Sequence, residues 1–198
     1  MASTMIHLTL AHKINPDGCG LYYIGSYAPD NFDSKRSDVR EAKTKNHFRD
    51  APDMEAALRE FHAKIDISNP FHVGYFGHLL FDMWWEEIIE QFREYCENQQ
   101  DWFSRLRGEY RITGMWIRRN MPWVRDVFCK MESVTNFDSP MPDPSNAEIL
   151  TYKNMLTNPE NLIQAMGKEV EPSNFFTPEF LESCSAEYFE RYRAWIKE

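Results

Sequence analysis

An all-helical fold is predicted for this chain of 198 residues by its apolar spacing, its helix caps and its lack of strand signals. Apolar residues recur at the helical period between Met54 and Ile65, and a long, largely apolar stretch follows. Asp53 and Thr177 stand where helix caps are expected. No strand series, alternation of strands and helices, internal repeat or glycine-rich phosphate loop occurs. We therefore predict one compact all-α domain, 1–198, around a long central helix.

The elements follow in order from these signals. Helices are predicted over 5–13, 20–28, 53–65 and 71–95, and two more, broken near Pro122, over about 100–132. The polar, glycine-free segment 30–50 is expected to be a functional loop, because it is too long for a simple connection. The segment from Thr135 to Pro144 is expected to be a linker. Further helix starts are expected at the capping box of 145–148, at Asn158-Pro159 and at Thr177-Pro178.

Composition limits the classes of function. The chain carries 22 basic and 31 acidic residues, so its net charge of −9 argues against a stable nucleic-acid complex. No apolar run approaches the roughly 18 residues that a membrane span needs, and no export signal is visible. The four cysteines are widely scattered, which favours reduced thiols in a cytoplasmic protein. The high aromatic content predicts a bulky core and suits a homodimer face.

The most informative motif is a histidine and an aspartate, His78 and Asp82, four residues apart within the predicted central helix. Residues at that spacing lie on one helix face, close enough for both side chains to bind one metal ion. A buried carboxylate needs a cation or strong donors, because burial without a partner is costly. Taken alone, the pair also fits a core histidine that is hydrogen-bonded within its own helix.

Three more potential ligands precede this pair, namely His7, Asp30 and His47. Each stands at the edge or in the interior of an apolar segment rather than in a solvated run. A hydrolytic metal site needs neutral imidazoles and carboxylates, together with one open position for water. Five such groups are enough for one ion, and they would support a second if Asp82 bridged the two.

The order of these motifs resembles the zinc-dependent phospholipase C family over roughly residues 5–90. The shared features are a His-x-x-x-Ala segment at His7, Gly-x-x-Ala-Pro-Asp at Asp30, a histidine in a polar turn, and Gly-Tyr-x-x-His-Leu-x-x-Asp. The resemblance implies an all-helical fold and phosphoester hydrolysis by metal-bound water. It also implies that one metal is held by Asp30, His47, His78 and Asp82, and that His7 joins Asp82 at a neighbouring metal. Asp82 is then the candidate catalytic residue.

The chain departs from that family in two respects. Secreted members ligate a metal with an amino-terminal tryptophan, whereas this sequence begins Met1-Ala2-Ser3. They also carry further histidine and acidic ligands after the central helix, but no histidine follows His78 here. A full three-metal site is therefore not expected, although Glu86 or Glu87 could add one carboxylate.

A basic stretch joins Asp30 to His47, and it is either a solvated surface or a phosphate-attracting edge of the site. Cations beside a metal would hold a phosphoryl substrate and offset the charge that develops during reaction. The candidate substrate-binding residues are Lys35, Arg36, Arg40, Lys45 and Arg49.

The sequence thus predicts a metal-dependent phosphoric ester hydrolase with one or two Zn²⁺ ions, or another divalent transition metal, and a small phosphorylated substrate. One alternative is a helical phosphohydrolase of the HD-domain kind, against which the lack of an adjacent His-Asp pair argues. The other is a non-catalytic binding protein that keeps a structural or degenerate metal site. In either case, the metal-site half is expected at about 5–95 and the remaining helices at about 100–198.

Overall fold

The computed structural model describes residues 2–97, 99–158, 160 and 169–197. In this part of the chain the backbone forms α-helices and no strand, which confirms the predicted class. The helices are α1 (Thr4–Ile14), α2 (Gly20–Gly25), α3 (Val39–Asn46), α4 (Met54–Lys64), α5 (Pro70–Tyr95), α6 (Trp102–Asn120), α7 (Trp123–Glu132), α8 (Asn146–Thr157) and α9 (Pro178–Trp195), with a short 3₁₀ helix at Ala28–Asp30.

The central helix α5 organises the core. It begins at Pro70, where the side chain of Asn69 accepts a hydrogen bond from the Phe71 amide. Its first half is buried nearly all round, as expected for a helix that is apolar on every face. It packs against α1, α2, α4, α6, α9 and the 3₁₀ helix. The prediction of a long central helix is confirmed.

Two glycines let α2 and α5 touch backbone to backbone. A Cβ atom added at Gly74 would lie 2.1 Å from the carbonyl oxygen of Tyr22, and one added at Gly25 would lie 2.2 Å from that of Phe71. Any side chain at either position would force the helices apart. This close approach places the carbonyl group of Ser26, at the end of α2, beside the middle of α5.

Most of the predicted boundaries are found. The side chains of Asp53 and Thr177 cap α4 and α9, and Ser145 and Glu148 form the capping box of α8. The chain breaks between α6 and α7 at Pro122, as predicted. The helix start expected at Asn158-Pro159 falls largely outside the described residues.

Two local predictions are wrong. The segment 30–50 is not simply a loop, because it contains α3, on which only Ala42 and Asn46 are buried. A helix with so small a buried face shows no apolar period in its sequence. The helix predicted over 20–28 ends at Gly25, and the 3₁₀ helix that contains Pro29 follows it.

None of the helices in the described part of the chain has both the length and the apolar character that a membrane span requires. The four cysteines Cys19, Cys96, Cys129 and Cys184 are free thiols, as predicted.

Candidate metal centre

His78 and Asp82 lie side by side in the core, and the side chains of both are completely buried. His78 Nε2 is 3.7 Å from Asp82 Oδ2. The other ring nitrogen, Nδ1, is 3.0 Å from the carbonyl oxygen of Ser26. A carbonyl oxygen can only accept, so Nδ1 carries the proton and donates. The Nε2 lone pair of His78 therefore faces Asp82 and the centre of the site.

His47 is held in the same way at the end of α3. Its Nδ1 donates to the carbonyl oxygen of Lys43 at 2.9 Å. Its Nε2 lies 3.2 Å from Nε2 of His78 and 3.4 Å from Oδ2 of Asp82. Fixing the outer nitrogen of an imidazole with a carbonyl group is the arrangement that orients histidines as metal ligands.

The contact between His47 and His78 is one that a cation could stabilise. Burial lowers the pKa of His47, and burial together with the nearby His7 lowers that of His78 well below its ordinary value. Both rings are therefore neutral near pH 7, with Nδ1 protonated and a lone pair on Nε2. Two such lone pairs repel each other at 3.2 Å unless a positively charged group lies between them.

His7 enters the cluster from α1. Its ring stacks on that of His78 with centroids 3.7 Å apart, and its Nε2 is 3.3 Å from Asp82 Oδ1. Among the described residues, neither ring nitrogen of His7 has a hydrogen-bond partner, and neither has Asp82 Oδ2. Buried polar atoms are rarely left without partners, so these orphaned atoms indicate a missing ligand.

The two carboxylates are held ionised by their surroundings. Burial acts to raise the pKa of Asp82, but its contact with His7 and the charges around it outweigh burial and lower that pKa well below its usual value. Asp82 Oδ1 also accepts a hydrogen bond of 3.0 Å from the Ala2 amide. The pKa of Asp30 is lowered as well, because its interactions with His78 and with the ammonium group of Lys43 outweigh its burial.

Asp30 is the outermost member of the cluster. Its side chain is 15% exposed, whereas those of His7, His47, His78 and Asp82 are completely buried. Its Oδ1 lies 3.6 Å from His47 Nε2, and its Oδ2 lies 3.9 Å from His78 Nε2. Solvent therefore reaches the site at Asp30.

The five predicted ligands thus come from four separate elements to one place. One donor atom from each of His7, Asp30, His78 and Asp82 lies within 4.8 Å of all the others. Donors about 2.0–2.2 Å from a zinc-like ion are themselves roughly 3–4 Å apart, so only a slight contraction is needed. Neutral imidazoles, ionised carboxylates and orphaned buried atoms together fit a divalent transition metal.

The candidate substrate-binding residues make their described contacts with surface carboxylates or are exposed. In the described structure, none of them forms a hydrogen bond or ion pair with the cluster. Arg36 binds Asp38 and Asp143, each at 2.9 Å, and Lys45 binds Glu41. Arg49 binds Glu86 on α5, and Lys35 and Arg40 are exposed. Basic residues of a solvated segment find carboxylates on the surface, which the linear sequence does not reveal.

One cation of that segment does reach the site. Lys43 Nζ lies 3.1 Å from Asp30 Oδ1. Lys43 belongs to the basic stretch recognised in the sequence, but it was not among the candidate substrate-binding residues. It stands four residues before His47, so recognition of α3 would have placed both on one helix face. The extra carboxylates considered on α5 do not join the cluster, since Glu86 binds Arg49 and Glu87 binds Arg191.

Asn46 is a second residue that sequence reasoning missed. Its amide group donates to the Pro29 carbonyl oxygen at 3.0 Å, and its Oδ1 accepts from the Tyr75 hydroxyl at 2.5 Å. Asn46 precedes one ligand, and Pro29 precedes another. This bridge therefore fixes α3 and the 3₁₀ helix against α5. A buried asparagine inside an otherwise polar segment gives no signal in the sequence.

Comparisons of the chain with protein-family models, curated proteins and solved structures found no match.

Proposed function

We propose that this protein is a metal-dependent hydrolase of phosphoester bonds. The observation that carries the proposal is the pair of neutral imidazoles whose Nε2 atoms face each other at 3.2 Å beside two ionised carboxylates. The order of the motifs, which resembles that of the zinc-dependent phospholipase C family, supports the same reaction class.

The ligands divide between an accessible and an inner position. Asp30, His47, His78 and Asp82 would hold one ion at the accessible position, and His7 with Asp82 would serve a neighbouring one. When bound, such an ion supplies a Lewis acid that lowers the pKa of water and polarises a phosphoryl oxygen. The carbonyl groups of Ser26 and Lys43 keep two of the histidines in the tautomer that ligation requires.

The substrate would approach from the side of Asp30, the one partly exposed ligand. Lys43 lies on that side, and its side chain is 23% exposed. Once Asp30 is engaged by a metal, the ammonium group of Lys43 is free to bind a phosphoryl oxygen. A fixed cation next to the reacting group stabilises negative charge as it develops.

A structural metal site is the second candidate function. The observation that favours it is the complete burial of His7, His47, His78 and Asp82, since closed sites are typical of structural metals. A catalytic site keeps one position open to solvent. Resistance of the metal to chelation, with no turnover of phosphoesters, would support this candidate.

The deciding experiment is elemental analysis of the purified protein together with its His78→Ala and His62→Ala variants. His62 packs at a tilt against Phe76, outside the cluster, and provides the matched control. We expect one or two metal equivalents in wild type and His62→Ala, and none in His78→Ala. Hydrolysis of phosphomonoesters and phosphodiesters should be lost on chelation and restored by metal. Wild-type protein that stays metal-free after reloading would refute the metal site.

A further inference from the structure

A cleft of about 350 Å³ opens between the start of α1 and the middle of α6. Its polar lining comprises Ser3, Thr4, Tyr110, Arg111, Arg118 and Tyr152. None of these residues belongs to the metal cluster. Arg111 and Arg118 are seven residues apart, so both lie on one face of α6, about 10 Å from each other along the axis.

Among the described residues, the two arginines of this cleft have no counterion. In the described part of the chain, neither makes a hydrogen bond or an ion pair, whereas Arg36, Arg49 and Arg191 each bind a carboxylate. Arg118 is partly buried, and its burial lowers the pKa of its guanidinium group. A cation that is partly removed from water without a partner favours the binding of an anion.

The start of α1 adds donors to the same cleft. Ser3 is the residue before the helix, but its side chain accepts no hydrogen bond from the first turn. Its hydroxyl group is buried and has no partner among the described residues. The first amides of a helix have no acceptor within the helix and carry partial positive charge. They therefore complement a negatively charged group held by the arginines.

The cleft adjoins the metal cluster. Ser3 follows Ala2, whose backbone amide donates a hydrogen bond to Asp82. The carbonyl oxygen of Ser3 accepts a hydrogen bond from the backbone amide of His7. On the opposite wall, the Tyr110 hydroxyl accepts a hydrogen bond of 2.7 Å from Trp85 Nε1. Burial raises the pKa of Tyr110, and the charges of Asp82 and Asp30 raise it further.

We propose that this cleft binds a phosphoryl group of a small molecule through Arg111, Arg118, Ser3 and the start of α1. Two guanidinium forks, a hydroxyl group and a helix amino terminus are the donors that phosphate binding uses. The idea that this phosphoryl group belongs to the substrate rests on the proposed hydrolase function. The binding of a phosphoryl anion in the cleft is independent of that function.

The test is titration calorimetry of inorganic phosphate and glycerol 3-phosphate at low ionic strength, with protein freed of metal by a chelator. Arg118→Gln and Arg111→Gln are compared with Arg105→Gln, an exposed arginine on a different face of the same helix. We expect binding to weaken about tenfold or more in each cleft variant and to be unchanged in Arg105→Gln. Circular dichroism checks that each variant is folded. Because the side chain of Arg111 is exposed, we expect the Arg111→Gln protein to fold as wild type does.

Further arms separate this proposal from that of the hydrolase. His78→Ala should bind phosphate as wild type does, even though it is expected to lose metal. Vesicles of phosphatidylcholine with and without phosphatidic acid test whether the phosphoryl group is presented by a lipid or by a free molecule. Lack of phosphate binding in metal-free wild type, or equal binding in Arg118→Gln and Arg105→Gln, would overturn the assignment.

Discussion

Lys43 Nζ lies 3.1 Å from Asp30 Oδ1, and the same oxygen lies 3.6 Å from His47 Nε2. One carboxylate oxygen thus faces a fixed cation on its outer side and a ligand nitrogen on its inner side. In the proposed metal site, Lys43 and the metal ion would compete for Asp30, because each would neutralise the same charge. The lysine stabilises the metal-free cluster and stands where a substrate would arrive.

The Lys43→Met variant should therefore bind metal more tightly. Loss of a positive charge a few ångströms from the ion should strengthen binding by about tenfold, or ~1.4 kcal/mol. The KM for a phosphoester substrate should rise at the same time. Competition with a metal-sensitive dye measures the affinity. The matched control is Lys45→Met on the same helix, whose ammonium group binds Glu41 instead. Equal effects of the two substitutions would contradict the competition.

Stability of the metal-free protein should fall as the pH drops below about 6.5. Burial lowers the folded-state pKa of His47 and, with the nearby His7, that of His78, while the unfolded chain titrates near 6.5. The unfolded state therefore binds more protons in this range. Each histidine lowers the free energy of unfolding by at most about 1.4 kcal/mol for each pH unit of this fall. Asp30 and Asp82 have lowered pKa values, so their contribution is retained until the pH falls below about 3.8.

Urea denaturation with a chelator present, at several values between pH 7 and pH 5, measures this slope. The surroundings of His78 are His7, Asp30, His47 and Asp82, so its substitution tests the cluster directly. We expect His78→Gln to lower the slope by about one proton, or ~1.4 kcal/mol per pH unit. An unchanged slope would show that His78 is not held neutral by its surroundings.

The sequence predicted which side chains cluster better than it predicted the segment that joins them. His78 and Asp82 could be paired because a long apolar helix has a clear period. His7, Asp30 and His47 reach this pair through contacts between elements that are distant in the sequence. Their place beside the pair was inferred from a resemblance and not from their spacing. Asn46 was missed, and Lys43 was not selected within the basic stretch, because α3 buries only two side chains and leaves no apolar period. Arg36 binds Asp143, which is 107 positions away, and Arg49 binds Glu86, which is 37 positions away, so no local pattern reveals these two counterions.

Removal of the asparagine bridge should weaken metal binding without removing a ligand. Asn46→Ala breaks the link between α3 and Pro29 and removes one acceptor of the Tyr75 hydroxyl. The expected loss is about 1–3 kcal/mol of stability and a severalfold lower metal affinity, since the supporting hydrogen bonds of ligands tune binding. Tyr75→Phe, which cuts the same bridge from α5, should have a smaller effect in the same direction. Wild-type metal affinity in both variants would exclude a positioning role for Asn46.

Two glycines of α5 offer a matched pair that tests whether the approach of α2 shapes the site. A methyl group at Gly74 would meet the Tyr22 carbonyl oxygen at 2.1 Å, whereas one at Gly77 would have no neighbour within 4 Å. Gly77→Ala should stabilise the protein by up to about 1 kcal/mol, because alanine favours a helix. Gly74→Ala gains the same preference but forces α2 away, with a net cost of about 1–3 kcal/mol.

The displacement in Gly74→Ala should also reach the metal. Movement of α2 withdraws the Ser26 carbonyl oxygen from His78 Nδ1, the contact that fixes the tautomer of this ligand. Metal affinity should therefore fall in Gly74→Ala and remain at the wild-type level in Gly77→Ala. Thermal unfolding measures the stability of each variant, and elemental analysis of the same preparations measures the bound metal. A destabilised Gly74→Ala protein that still binds metal at full affinity would show that His78 is oriented by its other neighbours and not by α2.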